Sequence, residues 1–149
     1  MIAMEFERRL RKLALREGMT FGTLVALDNA DREVIRTTIL SRFDAGAVYT
    51  ERAVNDRLRA WLAGAGCMIE TDHVNLRRLL VDTQVLARTS DCSEYRVHPG
   101  ATADLSADLV ALDADGIVAH ARRTAEAQRS ARKAAWLKRA GGAANAGAP

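Results

Sequence analysis

Between Thr50 and Val97 the spacing of apolar residues changes once, from the period of a helix to that of a strand. Few folds accommodate both in so short a span. Val54, Leu58, Trp61, Leu62 and Ala65 recur at i, i+4, i+7, i+8 and i+11, which makes one buried helical stripe. Thr50 is placed to cap that helix, and Gly64 and Gly66 to close it. A second helix is predicted over about 72–84, with Thr71 as its cap and Leu76, Leu79, Leu80 and Thr83 on one face. Val74, Asn75, Arg78 and Val81 point away from that face, with Arg77 on the flank. Leu86–Ser90 and Ser93–Val97 then read as short strands joined by a turn at Asp91-Cys92. Tyr95 and Val97 share one side of the second strand, and Arg96 takes the other.

The flanks extend this unit. Residues 4–17 are expected to be helical, with Phe6, Leu10 and Leu13 on one stripe and Gly18 as the stop. Met19 to Leu27 is apolar, and its Gly22 leaves helix or loop open. Asp28, Asn29 and Asp31 are cap candidates for a helix over about 31–43, whose apolar face is Val34, Ile35, Thr38, Ile39 and Phe43. Ala47-Val48-Tyr49 has length only for a bridging strand. Beyond Gly100 the alanine-rich sequence from about 105 to 139 favours helix, divided near Asp113 and Gly116. Leu105, Leu109, Leu112, Ile117, Val118 and Ala121 supply apolar side chains that pack back on the domain. The expected organisation is an N-terminal helical extension (1–30), the central domain (31–99), an acidic linker with a basic C-terminal helix (100–140), and a disordered tail (141–149).

The fold class is therefore mainly α with a small β-hairpin (α+β). Helix, bridging strand, helix, turn, helix and hairpin is the element order of a winged helix-turn-helix-like domain. Four helices packed beside an unrelated hairpin would give the same string. Hydrophobic residues make up 48% of the chain, enough for a packed core, but aromatics only 5%, so that core is aliphatic. No apolar run approaches membrane-spanning length, and Glu5, Glu7, Arg8 and Arg9 interrupt any signal-peptide core. The chain reads as soluble and cytoplasmic, with no membrane partner. Cys67 and Cys92 are far apart and His73, His98 and His120 are scattered, so neither a disulfide nor a zinc site is expected.

Charge is placed unevenly. Residues 31–99 hold ten basic and ten acidic side chains. Residues 100–121 hold four aspartates and no Lys or Arg. Residues 122–139 hold Arg122, Arg123, Arg129, Arg132, Lys133, Lys138 and Arg139 against Glu126 alone. The net charge of +3 thus comes from the C-terminal end.

Four blocks carry a family resemblance. Tyr49-Thr-Glu-Arg-Ala-Val-Asn55, Leu76-Arg-Arg-Leu-Leu-Val-Asp82, Leu86-x-Arg88 and Tyr95 occur in order and at compatible spacing. Over roughly residues 32–97 the chain resembles the bacterial domain of unknown function 2087 family. Members of that family stand alone or are fused behind a helix-turn-helix of the arsenic-repressor type. The resemblance implies a nucleic-acid-binding or transcription-associated role, and it carries no catalytic residue. The loop Ala63 to Glu70 is longer than a tight turn requires, and the basic helix lies outside the shared region.

The functional expectation is DNA binding, or association with transcription. In a helix-turn-helix the third helix enters the major groove, where Asn75, Arg77 and Arg78 would face bases; the alternative, favoured for Arg77, is that the two arginines are solvated or tied to Asp72 and Asp82. Arg78 and Asp82, at i and i+4, are equally placed for a surface ion pair. Val81 on the same face argues against simple docking and suits a place under another element, such as the N-terminal helix. Arg88 and Arg96 flank the wing and would touch phosphates, opposed by Asp91 and Glu94. Arg122, Arg129 and Lys133 lie along one line of the basic helix, with Arg132 beside it, and such a line suits a phosphate backbone or an acidic partner. The alternative is an adaptor that binds RNA or an acidic protein without reading DNA sequence. A homodimer would use the Phe6, Leu10, Leu13 stripe or the long C-terminal helix. No nucleophile–base–orienter set is evident, Glu70, Asp72 and His73 fit helix capping as well as metal binding, and no cofactor is implied.

Overall fold

The computed structural model describes residues 1–146. Among them are seven α-helices and one two-stranded antiparallel sheet. Helix α1 (Ala3–Ala14) buries Phe6, Leu10, Leu13 and Ala14 in the same core as the rest of the chain. That stripe is spent inside the protomer, so it offers no dimer surface. The helix ends a turn earlier than Gly18, which instead takes φ +61. The glycine lets the chain turn so that Met19 bridges Ile69 in parallel, its N–H donating to the Met68 carbonyl at 2.9 Å. The N-terminal segment is thereby stitched to the loop before the third helix of the expected domain.

Helix α2 (Phe21–Ala26) settles the segment around Gly22 as helix; Thr20 caps it, and it has no fully buried residue. Asp28 caps α3 (Asn29–Leu40), its Oδ1 accepting from the Asp31 N–H at 2.7 Å. Tyr49 then forms a single antiparallel bridge to Tyr95, with N–H···O distances of 2.7 and 2.8 Å. Thr50 caps α4 (Glu51–Ala63), whose Val54, Leu58 and Trp61 are buried. The cap of α5 (His73–Asp82) is Asp72 and not Thr71, because the Asp72 carboxylate accepts from the Asn75 N–H at 2.7 Å. A carboxylate also suits the positive end of the helix dipole better than a hydroxyl.

Strands β1 (Leu86–Arg88) and β2 (Tyr95–Val97) pair Leu86 with Val97 and Arg88 with Tyr95. They are shorter than the alternation predicts. Side chains of the connecting turn take over its polar groups: Asp91 Oδ1 accepts from the Thr89 hydroxyl at 2.7 Å and from the Ser93 N–H at 3.0 Å. After a 3-10 turn (Pro99–Thr102) and the short α6 (Ala107–Val110), Asp113 caps α7 (Ala114–Ala146) through the Gly116 N–H at 3.0 Å.

Helix α7 has 33 residues, a length of about 50 Å. Its first turns bury Ala114, Val118 and Ala121 and pack on α1. Asp115 fastens this end. It pairs with Arg42 and accepts from the Ala65 N–H at 2.7 Å. Residues 126–142 are exposed throughout, so this half of the helix projects as an arm. The expected tail 141–149 is helical as far as Ala146, continuing the alanine-rich register, and residues 147–149 lie outside the described residues. Among the described residues no helix is long and apolar enough to cross a membrane.

Candidate nucleic-acid interface

Three surfaces carry the basic residues singled out by sequence: the outer face of α5, the β1–β2 hairpin and α7. On α5 the two neighbouring arginines have different roles. Arg77 turns inward, its side chain only 12% exposed. It pairs with Glu51 at 3.2 Å, donates to Asn55 Oδ1 and lies over the Tyr95 ring at 5.9 Å. It joins α4, α5 and β2, so its guanidinium is engaged within the fold. Arg77→Ala is expected to lower stability by about 1–3 kcal/mol, the cost of leaving partners of a charged hydrogen bond unmade. Chemical denaturation checks this, and nucleic-acid affinity of the folded variant should not change.

Arg78 is exposed and makes no ion pair with Asp82 or any other carboxylate among the described residues. Its surroundings are nonetheless acidic. It shares a shallow cleft with Glu70, Asp72 and Asp82, beside Thr20 and Phe21 from the start of α2. Asn75 is exposed, and its amide leans on Asp72 at 3.3 Å. Val81 is half-buried against the core. Helix α1 packs chiefly on α3, α6 and α7.

The hairpin is no richer in free positive charge. Arg88 is exposed, while Arg96 lies 3.8 Å from Glu94. At the tip, the donors from Thr89 and Ser93 hold the Asp91 carboxyl down to about 2, so it keeps its negative charge. The tip therefore sets a fixed anion beside the two arginines.

On α7 the expected line divides in two. Arg122 is half-buried and donates to the Arg16 carbonyl at 3.1 Å, just past the C-terminal end of α1. A cation there meets the negative end of the α1 dipole and clamps the two helices. Its guanidinium is thus engaged at the junction of the two helices. Its Nε is buried without a partner. Arg129 pairs with Glu126 at 2.6 Å. Arg132, Lys133, Lys138 and Arg139 project into solvent along the arm, and Arg123 is exposed at its base. Trp136 and Leu137 stand among them, 61% and 52% exposed.

Lys138, Arg139 and Trp136 were not singled out as site residues by the sequence. A signal for Trp136 exists in the spacing. It stands eighteen residues after Val118, five full turns at about 3.6 residues per turn. It therefore continues the line that buries Val118, at a point where the domain no longer lies beneath it.

No curated protein and no solved structure matches the chain. A family model described as an uncharacterized protein conserved in bacteria, DUF2087, matches residues 26–97. The match spans α3, α4, α5 and the hairpin, and leaves out α1 and the whole of α7. Through residues 26–97 the chain belongs to the bacterial DUF2087 family.

Proposed function

We propose that the chain is a cytoplasmic nucleic-acid-binding protein, associated with transcription, that grips duplex DNA chiefly through the projecting half of α7. The observation that carries this reading is the arm itself. Residues 126–142 are exposed, and they hold five Lys or Arg side chains against Glu126. A rigid helix presenting such charge follows a phosphate backbone without reading bases. In this reading the unit α3, Tyr49, α4, α5 and hairpin is a winged helix, because Tyr49 joins β2 as the third, one-residue strand. Arg78 and Arg88 then supply secondary contacts, weakened by the acids around them. The protein acts as a binder and not as an enzyme.

Binding of a labelled duplex, followed by fluorescence anisotropy over a salt series, tests the proposal. The slope of log K against log salt is expected near −4, since each neutralised phosphate contributes about −0.9. A flat dependence, or no binding at low salt, rejects it.

A second reading is favoured by Trp136. An exposed aromatic among cations is a stacking platform for unpaired bases. If a single-stranded RNA binds more tightly than the duplex in the same series, the arm serves an RNA adaptor. An acidic protein is the other ligand such an arm would take.

A further inference from the structure

A second cavity adjoins the shallow cleft of Arg78, and Leu79 lines both. A half-open cleft of about 410 Å³ separates α2, α3 and α5. That volume falls within the roughly 300–1,000 Å³ of small-molecule pockets. Ile35 and Ile39 of α3 and Leu76 and Leu80 of α5 form its apolar walls, and Trp61 also lines it. Leu24 and Val25 of α2 close one side. Since α2 has no fully buried residue, it is a light cover and not a structural wall.

The rim carries charge that does not cancel. Glu33 and Arg36 are matched to each other at 2.9 Å. The nearby Asp28 is engaged by Arg9 at 3.6 Å. Arg32 makes no ion pair among the described residues. Its guanidinium donates to the Val25 carbonyl at 2.7 Å and to the Asn29 side chain, which ties α2 to the start of α3. Both partners are neutral, and the guanidinium has five N–H donors in all. An unmatched guanidinium at the mouth of an apolar cleft selects an anionic head on an apolar body, and a carboxylate matches its fork.

We propose that this cleft binds a small amphipathic carboxylate, its chain among Ile35, Ile39, Leu76 and Leu80 and its head on Arg32. The site is independent of what α7 binds. Its walls include the helix that carries Asn75 and Arg78, and its cover α2 begins beside their shallow cleft. Occupancy therefore bears on the neighbouring cleft of Asn75 and Arg78, with which it shares Leu79.

The test uses the full chain carrying Trp136→Phe, in which Trp61 is the one remaining indole. Trp61 emission is titrated with hexanoate, octanoate and decanoate below their micellar concentrations, and with octanol. Saturable shifts are expected, tightening about fourfold for each added methylene. Octanol is expected to bind about tenfold more weakly than octanoate, the difference a charged hydrogen bond supplies. Arg32→Gln, at an exposed position, should bring octanoate down to the level of octanol. The proposal is overturned by an unresponsive Trp61, by affinity independent of chain length, by equal binding of acid and alcohol, or by a preference that survives Arg32→Gln.

Discussion

Trp61→Ala is expected to destabilise the protein by about 3–5 kcal/mol, the range for emptying a buried indole site. Total stabilities are about 5–15 kcal/mol, so the melting temperature should fall by about 10 °C. Trp61 is completely buried, and its Nε1 donates to Thr38 Oγ1 at 3.0 Å inside the core. Thr38 in turn donates to the Ile35 carbonyl at 2.7 Å, so both hydroxyl bonds lie within one buried chain. The indole also dictates a residue beyond its own helix. A Cβ at Gly66 would stand 2.4 Å from Trp61 Cε3. Gly66→Ala alone must therefore displace the ring, at about 1–3 kcal/mol. With Trp61 already alanine, the added methyl enters vacated space, and the double variant should be no less stable than Trp61→Ala. Denaturant titration of the four species measures the coupling. Strict additivity would mean that ring and glycine are not in contact.

This pair shows where sequence reasoning reaches and where it stops. The stripe Val54, Leu58, Trp61 is legible because helical period is a local property of the chain, and Thr50 caps it as its position implies. Gly64 and Gly66 look like ordinary helix stops. Gly66 is required by the indole five residues back, and a Cβ at Gly64 would meet Asp115 Oδ1 at 2.3 Å. That second neighbour comes from a segment with no local relation to it. Cap identity behaves similarly. Thr71 and Asp72 are both competent, and only the backbone path decides that Asp72 accepts from the Asn75 N–H.

The candidate site is less legible than the fold because charge counting is blind to occupancy. Arg77 and Arg78 are adjacent and chemically identical, yet one holds Glu51 and Asn55 while the other is free of ion pairs among the described residues. Arg122 and Lys133 lie on nearly the same line of α7, but the first clamps α1 and the second is in solvent. What separates them is the point at which the domain beneath the helix ends. That boundary depends on how α1 packs against α7, a long-range contact that a helical projection does not contain.

The same boundary sets the largest expected functional effect. Arg132→Gln, Lys133→Gln, Lys138→Gln and Arg139→Gln combined should weaken duplex binding at low salt by at least about a hundredfold. The salt slope should flatten toward zero, because the contacts that release counterions are gone. The fold should be unaffected: all four side chains are exposed, and glutamine is about as good a helix former as lysine or arginine. Melting temperature and helical circular dichroism therefore serve as internal controls. Arg122→Gln should show the reverse pattern, with reduced stability from loss of the bond to the Arg16 carbonyl and little change in slope. Arg78→Gln with Arg88→Gln should cost less than tenfold, since Glu70, Asp72, Asp82 and Asp91 already offset those cations. If that pair abolishes binding while the four-site variant retains it, the contact element is the α5–hairpin face. The central domain would then be a reader, and the projecting half of α7 would serve another partner.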